Sequence, residues 1–286
     1  METQTKQFLQ YLILPLAILT TAVFVINFRS APDFLLHVSF LDVGQGDSMF
    51  IQTYLGNQIV IDGGPSDKIL SELGRQLPFW DRSIDLLILT HPDADHVSGF
   101  IDVLKRYKVK KVMLTKVTAP TATYQEFVRL LEREQVEKIY ASEGQRVWLD
   151  SATVFDIYYP PLGVENQDLS INNTGIVGKL SFGQTKILLT ADTDSIVEDV
   201  VRERYNVDSD ILKVGHHGSR FSTSTRFITA VSPKYGVIEV GAKNTYGHPT
   251  EEVLGNLAGA SVEVLRTDLD KTIEFISDGI NLQLVR

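Results

Sequence analysis

Thr90-His91-Pro92-Asp93-Ala94-Asp95-His96 places two imidazoles and two carboxylates on six consecutive residues, directly after a run that reads as a buried strand. That run, Ile84-Asp85-Leu86-Leu87-Ile88-Leu89-Thr90, is short, mostly apolar and rich in strand formers, as suits a strand covered on both faces. Pro92 disfavours a helical conformation at His91, so the strand is expected to end in a turn. From Val97 the period changes: Val97, Phe100, Ile101, Leu104 and Tyr107 recur at helical spacing, and Lys105, Arg106 and Lys108 stand late, where cations suit a helix C-terminus. The four polar side chains therefore meet at a strand-to-helix junction. Unpaired carboxylates buried there would be costly; a divalent cation removes that cost, and imidazole with carboxylate suits zinc, manganese or iron. A solvated turn with two chance histidines would explain the loop, but not this concentration of ligand types in a chain with only six histidines.

Composition narrows the chemistry. A chain of 286 residues with 43% hydrophobic content can build one large domain or two small ones. It contains no cysteine, which excludes disulfides and thiolate ligands and leaves His, Asp, Glu and Asn for any metal. A net charge of -9 is unfavourable for holding a polyanion along an extended surface. Nucleic acid remains a substrate that a metal centre could grip locally, and Lys213, Arg220, Lys234 and Lys243 are the basic residues expected near it.

The first 29 residues read differently from the rest. Residues 8–28 carry no charge and are long enough to cross a bilayer as a helix, in which Pro15 is tolerable. A cleaved signal peptide competes, with a weak small-residue site at Thr20-Thr21-Ala22, but Lys6 is the whole basic region and the apolar run is long. The expectation is an uncleaved single-pass anchor, residues 1–29, in contact with membrane lipid through residues 8–28. Lys6 and Arg29 nearly balance, so charge leaves orientation open. An anchor followed by one large domain, residues 30–286, most simply puts that domain outside the cytoplasm.

That domain opens with a strand from Phe34 to Leu41 and then Asp42-Val43-Gly44-Gln45-Gly46-Asp47-Ser48, where two glycines allow a sharp turn that presents amides to a site. Strands at Met49–Thr53 and Gln58–Asp62 follow, then the loop Asp62-Gly63-Gly64-Pro65. Beyond the histidine cluster come a strand at Lys111–Leu114, a helix at Tyr124–Gln135, strands between Lys138 and Tyr159 and a loop from Leu162 to Asn173. Strands at Gly175–Phe182 and Lys186–Thr190 lead to Asp192; a helix at Ser195–Tyr205 and a strand at Asp210–Val214 lead to His216-His217. The tail reads as a helix near Thr223–Ala230, a strand at Gly236–Val240, a loop carrying His248, a helix at Glu251–Leu257 and three last strands. Ligand-type residues thus recur at strand ends: Asp62, His91 to His96, Asp192, His216-His217 and His248. Singly each is weak, and Asp192 alone reads equally well as a helix N-cap. Jointly, five of the six histidines fall in loops that strand ends bring to one edge, while His37 lies inside a strand and reads as structural.

The stretches FLDVGQGDS, IDGG, THPDADHVSG, LLTADTD, LKVGHHGS and NTYGHP resemble the metallo-β-lactamase superfamily, and more closely the hydrolase domain of ComEC competence proteins. They occur in the family's order and cover nearly everything from Phe34 onward. The resemblance implies an α+β fold, an αββα sandwich with a dinuclear site for two divalent ions, manganese or zinc, at the edge of its sheets. Carried over by position, it implies that His91 and Asp93 hold one metal and Asp95 and His96 the other. Asp192 bridges them, and one of His216 and His217 completes the second site. Asp42, Asp47, Asp62, Asn172 and Asn173 are expected to stand behind the ligands and orient them. Asp95, Asp192 and His248 are the expected catalytic groups, the carboxylates taking a proton from water and His248 protonating the leaving oxygen.

Two departures from the broader superfamily matter. Asp93 replaces the middle histidine of HxHxDH, and no histidine lies between His96 and His216, where Asn172-Asn173-Thr174 stands instead. An oxygen-richer donor set shifts preference from zinc towards manganese. The function implied is a metal-dependent phosphodiesterase, with single-stranded DNA as the substrate the ComEC resemblance favours and a separate DNA-uptake channel as partner. Two further readings are hydrolysis of a small or cell-envelope phosphodiester, and a non-catalytic accessory that binds DNA or a channel. β-Lactam cleavage ranks low because of Asp93.

Overall fold

The apolar run before the histidine cluster forms a strand, β4 (Ser83–Leu89), parallel to β3 (Gln58–Ile61) on one side and β5 (Lys108–Leu114) on the other. Leu86 and Ile88 enter a core between two sheets, whereas Leu87 and Leu89 enter a second core beneath helices. Both faces of β4 are covered, so its sequence is apolar throughout instead of alternating.

The computed structural model describes residues 11, 13–16, 20 and 32–285. The expected membrane span, residues 8–28, lies largely outside the described residues, and among those described no helix is long and apolar enough to cross a membrane. Contacts divide the chain into Met1–Asp33 and Phe34–Arg286.

In the larger unit β3, β4 and β5 belong to an eight-stranded sheet with β1 (Leu36–Phe40), β2 (Met49–Gln52), β6 (Glu137–Tyr140), β14 (Ile273–Ser277) and β15 (Leu282–Val285), in the order β15-β14-β1-β2-β3-β4-β5-β6. The second sheet has seven strands: β7 (Arg146–Trp148), β8 (Thr153–Tyr159), β9 (Val177–Phe182), β10 (Thr185–Leu189), β11 (Ile211–Lys213), β12 (Tyr235–Ile238) and β13 (Glu263–Arg266), in the order β13-β12-β11-β10-β9-β8-β7. Phe40, Ile51 and Ile88 of the first meet Phe155, Leu180 and Ile187 of the second. Helices α1 (Lys68–Gln76), α2 (Ala94–Arg106) and α3 (Ala122–Arg133) cover the outer face of the first sheet through Ile69, Leu73, Phe100 and Phe127. Helices α4 (Ser195–Arg204), α5 (Thr225–Val231) and α6 (Glu251–Gly259) cover the second through Val201, Phe227, Val253 and Leu257, and a single turn, α7 (Thr267–Asp270), follows β13. The layers are therefore helix, sheet, sheet, helix.

Three local readings change. Helix α1, to which the sequence reading assigns no element, buries Ile69 and Leu73 one turn apart but has no side-chain cap at Asp67 to announce it. Helix α2 begins at Ala94 and not at Val97, so Asp95 and His96 occupy its first turn, with Asp93 extended as the residue before it. Strand β13 ends at Arg266 because α7 turns the chain there.

Helix α2 is held tightly to the loop after β3. Gly63 N donates to His96 O at 2.6 Å and Gly99 N to Gly64 O at 3.0 Å. A methyl on Gly99 would stand 1.9 Å from the Gly63 carbonyl oxygen, closer than any side chain can sit. Backbone cannot retreat there without moving His96. Gly99→Ala is therefore expected to cost about 3 kcal/mol, the upper range for overpacking, while Ser98→Ala costs well under about 1 kcal/mol. Denaturant unfolding of the two variants checks this, and equal midpoints would refute the close approach.

Candidate metal centre

Parallel strands bring their C-terminal ends to one edge: Asp62 follows β3, Thr90 to His96 follow β4, Asp192 lies just beyond β10, His216 and His217 beyond β11, and Glu239 beyond β12. Asp62, Ala191, His216 and His217 all adopt positive φ, between 47° and 56°. Each such non-glycine residue costs roughly 1–2 kcal/mol, and strain of this kind gathers where a site dictates geometry. Gly46 closes the site from the opposite loop. Its φ is 146°, and a side chain there would stand 2.2 Å from the Asp95 carbonyl oxygen.

Asp62 organises the cluster from behind. It accepts from Thr90 N at 2.8 Å and Thr90 Oγ1 at 2.7 Å, and its Oδ2 lies 2.9 Å from His96 Nδ1. Because Thr90 Oγ1 gives its proton to Asp62, it is free to accept from His91 Nδ1, 3.0 Å away. Both imidazoles thus have Nδ1 engaged and turn Nε2 into the site. His91 Nε2, His96 Nε2 and Asp192 Oδ1 are buried without a hydrogen-bond partner. Buried orphaned donor atoms of these types fit a divalent cation.

Asp95, His96, Asp192 and His217 offer one ligand atom each, all within 4.8 Å of one another. Asp192 Oδ2 lies 3.4 Å from His96 Nε2 and 3.1 Å from His217 Nε2, and Asp95 Oδ2 is 3.3 Å from His217 Nε2. Of the two adjacent histidines, His217 joins this group. It is buried, with Nδ1 at 2.8 Å from Glu239 O and 3.2 Å from Asp47 Oδ1. His216 faces another way: its Nε2 is 4.0 Å from Asp192 Oδ2 and 3.2 Å from Asn172 Nδ2. His91 Nε2 is 3.7 Å from Asp93 Oδ2. His91 with Asp93 and His216 with Asn172 thus form two looser pairs outside this group, with Asp93, His216 and Asn172 partly exposed and His91 buried.

The remaining expected residues divide. Asp47 touches His217 and the ammonium of Lys213, as a residue behind the ligands would. Asn173 instead pins Asp194, giving Nδ2 to its carboxylate at 2.7 Å and accepting its N–H at 3.0 Å, so it fixes the loop and not a ligand. Asp42 pairs with Lys68 at 2.7 Å and faces Lys271 at 3.7 Å, so its carboxylate is spent on the α1 side of the loop. His248 packs its ring 5.6 Å from that of His216, and its Nδ1 is buried without a partner. Lys213 is not a surface cation: it is buried among Asp47, the carbonyls of Ala191 and Val214, and Asp192 Oδ1 at 3.8 Å. Glu239, which the sequence reading does not single out, is fully buried and accepts from Ser48 N at 2.9 Å. The usable signal was a lone charge inside an apolar strand, in Ile211-Leu212-Lys213-Val214 and in Val237-Ile238-Glu239-Val240.

Electrostatics shows what fills the centre when protons are the cations. Burial works against a charged His96 or His217, yet Asp192 with Asp62 for the first, and Asp192 with Asp47 for the second, hold both well above the usual imidazole value. Burial by itself would raise the pKa of Asp192, but His217 and His96 outweigh it and keep that carboxyl well below its ordinary value. His91, which burial and the charge of His96 push down to about 3, is neutral.

A family model described as the metallo-beta-lactamase superfamily matches residues 41–241. The chain belongs to this superfamily. It is 33% identical over 259 residues to ComE operon protein 3 of Bacillus subtilis (strain 168), covering 83% of this chain and 32% of that protein. It is 29% identical over 266 residues to competence protein ComA of Neisseria gonorrhoeae, covering 91% of this chain and 35% of the relative. The chain thus spans about a third of the length of these relatives. Among solved structures, the metallo-beta-lactamase fold protein YhfI from Bacillus subtilis aligns with a TM-score of 0.55 at 12% identity, over 80% of this chain and 96% of that one. The likeness to YhfI is one of fold.

Because their neighbours keep His96 and His217 protonated in the metal-free protein, a divalent cation bound there must displace protons. Loading the metal-free protein near neutral pH is expected to release about two protons, from His96 and His217, measurable by calorimetry in buffers of different ionisation enthalpy. The signs follow from linkage. The raised histidines stabilise the metal-free fold fully below about pH 6.5, and this is lost as pH rises through their folded values. The Asp192 contribution is present above its unfolded value and lost as pH falls through the depressed one. Metal-free protein should therefore melt at lower temperature in alkali, and added metal should remove that dependence. His217→Ala should lose more bound metal than His216→Ala; the reverse order would reassign the pair.

Proposed function

We propose that this chain is a metal-dependent phosphodiesterase that cleaves DNA, single-stranded DNA above all, with manganese or zinc as its cations. Residues 8–28 anchor it in the membrane as a single pass, its hydrolase domain lies outside the cytoplasm, and a separate DNA-uptake channel protein is its partner. The observation that carries the reading is Asp192, whose Oδ2 lies 3.4 Å from His96 Nε2, 3.1 Å from His217 Nε2 and 4.0 Å from His216 Nε2. One carboxylate reached by two ligand groups suits a pair of cations. The competence proteins among the relatives direct this chemistry towards DNA.

His91, Asp93, His216 and Asn172 would hold one cation, and Asp95, His96 and His217 the other, with Asp192 between. When bound, the pair would supply positive charge to the phosphate oxygens and lower the pKa of an attacking water. Asp95 is the carboxylate best placed to take that proton, because it is partly exposed, whereas Asp192 is buried against His96 and His217. Hydrogen bonding and charge from His217 and His96 overcome burial and hold Asp95 down to about 2, so it is ionised at neutral pH. Burial, then His216 and His217, lower His248 below the usual imidazole range. His248 is therefore neutral near pH 7 and acts as an N–H donor to the leaving oxygen, not as a ready imidazolium acid.

Hydrolysis of single-stranded DNA and of bis(p-nitrophenyl) phosphate by the full chain with Mn²⁺ or Zn²⁺ tests the reading. Asp192→Ala should lower both rates by about a hundredfold or more; unchanged rates would remove the metal mechanism. His248→Ala should lower kcat by about a hundredfold, and His248→Gln, which keeps an N–H, by less. A second reading, a small or cell-envelope phosphodiester, draws on the basic residues: Lys213 is buried, and Arg220 and Lys234 lie over the rings of Phe221 and Tyr235. Cleavage of the small ester without DNA would favour it. Neither activity in metal-loaded protein would favour a non-catalytic accessory.

A further inference from the structure

A cleft of about 730 Å³ opens along the same sheet edge as the metal centre, between α3 and the ends of β5 and β6. Its floor is apolar, from Val128 and Leu131, and its rim carries Lys116, Lys138 and Tyr140. The strand register fixes where it lies. Leu89 pairs with Leu114, and Leu114 with Tyr140, so Thr90, Thr115 and Ala141 are successive neighbours across the edge. At about 4.8 Å per strand, the cleft begins one strand away from Thr90, whose hydroxyl touches His91. A second segment joins the two places: Glu165 lines the cleft, and the same loop runs on to Asn172, which reaches His216.

The lining chemistry is mixed in a definite way. Tyr140 stands on the edge strand β6 and is 45% exposed, an unusual position for a large ring. The ammonium of Lys116 lies over that ring, 5.9 Å from its centre, and among the described residues no carboxylate approaches it within ion-pair distance, although Glu132 and Glu165 also line the cleft. Lys138 is partly neutralised by Glu132 at 3.7 Å. An exposed ring over an apolar floor offers a stacking face, and the cation beside it offers a contact for a phosphate. That combination matches a nucleotide unit of a flexible strand, and the volume falls within the range of small-molecule sites.

We propose that this cleft is a nucleotide subsite, which seats a base of a single-stranded nucleic acid against Tyr140 and an adjoining phosphate on Lys116 while a neighbouring phosphodiester lies at the metal centre. The inference rests on the phosphodiesterase reading above and names how its substrate is gripped. It also accounts for how an acidic chain could hold a polyanion: the hold comes from stacking with one or two phosphate contacts, not from a basic surface.

The test needs no metal, so that it is separable from catalysis. A fluorescein-labelled oligothymidylate is titrated with the full chain in chelator and followed by anisotropy, beside Tyr140→Ala, Tyr140→Phe and Lys116→Ala. Tyr140→Ala should raise Kd about tenfold, and Tyr140→Phe, which keeps the ring, should leave it nearly unchanged. Lys116→Ala should make the slope of log K against log salt shallower by about 0.7, one phosphate contact. An oligomer carrying 5-iododeoxyuridine, irradiated on the wild-type chain, should crosslink to the peptide containing Tyr140. Wild-type binding that all three variants share, or crosslinks confined to other peptides, would overturn the subsite, as would no binding at all. Hydrolysis of bis(p-nitrophenyl) phosphate by the metal-loaded wild type reports separately on the phosphodiesterase reading, which can stand while the subsite falls.

Discussion

Everything at the sheet edge depends on the carboxylate of Asp62. Burial raises its pKa, because an ion removed from water loses solvation, and only local bonds can oppose this. It has them from Thr90 N, Thr90 Oγ1 and His96 Nδ1, which belong to the end of β4 and the first turn of α2. One side chain after β3 thereby locks two other elements and sets the direction in which both His91 and His96 point. The glycine-tight contact between α2 and the following loop is the steric half of the same constraint. If the helix moved outward by the width of a methyl, the hydrogen bond to His96 could not survive.

The concentration of charge around that anchor explains why the centre needs a cation. Asp47, Asp62, Asp192 and Glu239 are buried within a few residues of one another's partners, with Asp95 beside them. Glu239 is driven well above its ordinary pKa by burial and by Asp47. Burial disfavours the charged form of Lys213, but Asp47 and Asp192 outweigh it, so this ammonium is a permanent member of the cluster. It satisfies Asp47 from behind and leaves Asp192 Oδ1 at 3.8 Å, too far for a strong bond. The ligands are therefore supported from behind and under-satisfied in front. That asymmetry is what a metal site requires of the protein around it.

Much of this was legible from residue order alone. Five histidines at strand ends, the His91–His96 turn and Asp192 announced the site, because apolar runs followed by ligand residues leave few other physical purposes. The layers could also be read, since strands such as β4 show on their faces that they are covered twice. What escaped was of two kinds. Helix α1 lacks a capping side chain, so nothing local separates it from the loop before it. Lys213, Glu239 and the division between Asn172 and Asn173 depend on which atoms meet across the sheets, and spacing along the chain carries no such information. The choice between His216 and His217 was open for the same reason. Adjacent residues in left-handed backbone point apart, and only the packing of His217 under Glu239 decides which one turns inward.

The two halves of the centre are not equivalent, and the difference has a structural origin. Asp95, His96, Asp192 and His217 are held from behind by Asp62, Asp47 and Glu239, and their geometry is fixed before any ligand arrives. The other half draws Asn172 from the loop after β8 and sets His216 against His248, whose own loop is tied mainly by Asn244. Asp93, His216 and Asn172 are partly exposed there, and one donor is an amide instead of an imidazole. On the phosphodiesterase reading proposed above, the enclosed half would bind its cation more tightly, and the open half would be where an anionic substrate is received. A substrate that supplies a missing ligand is bound most strongly where the protein alone binds least. On that reading, an oxygen-rich, loosely supported second position would couple occupancy to the arrival of an anion, and Asp93 in place of a histidine would bear on substrate selection as well as on metal choice.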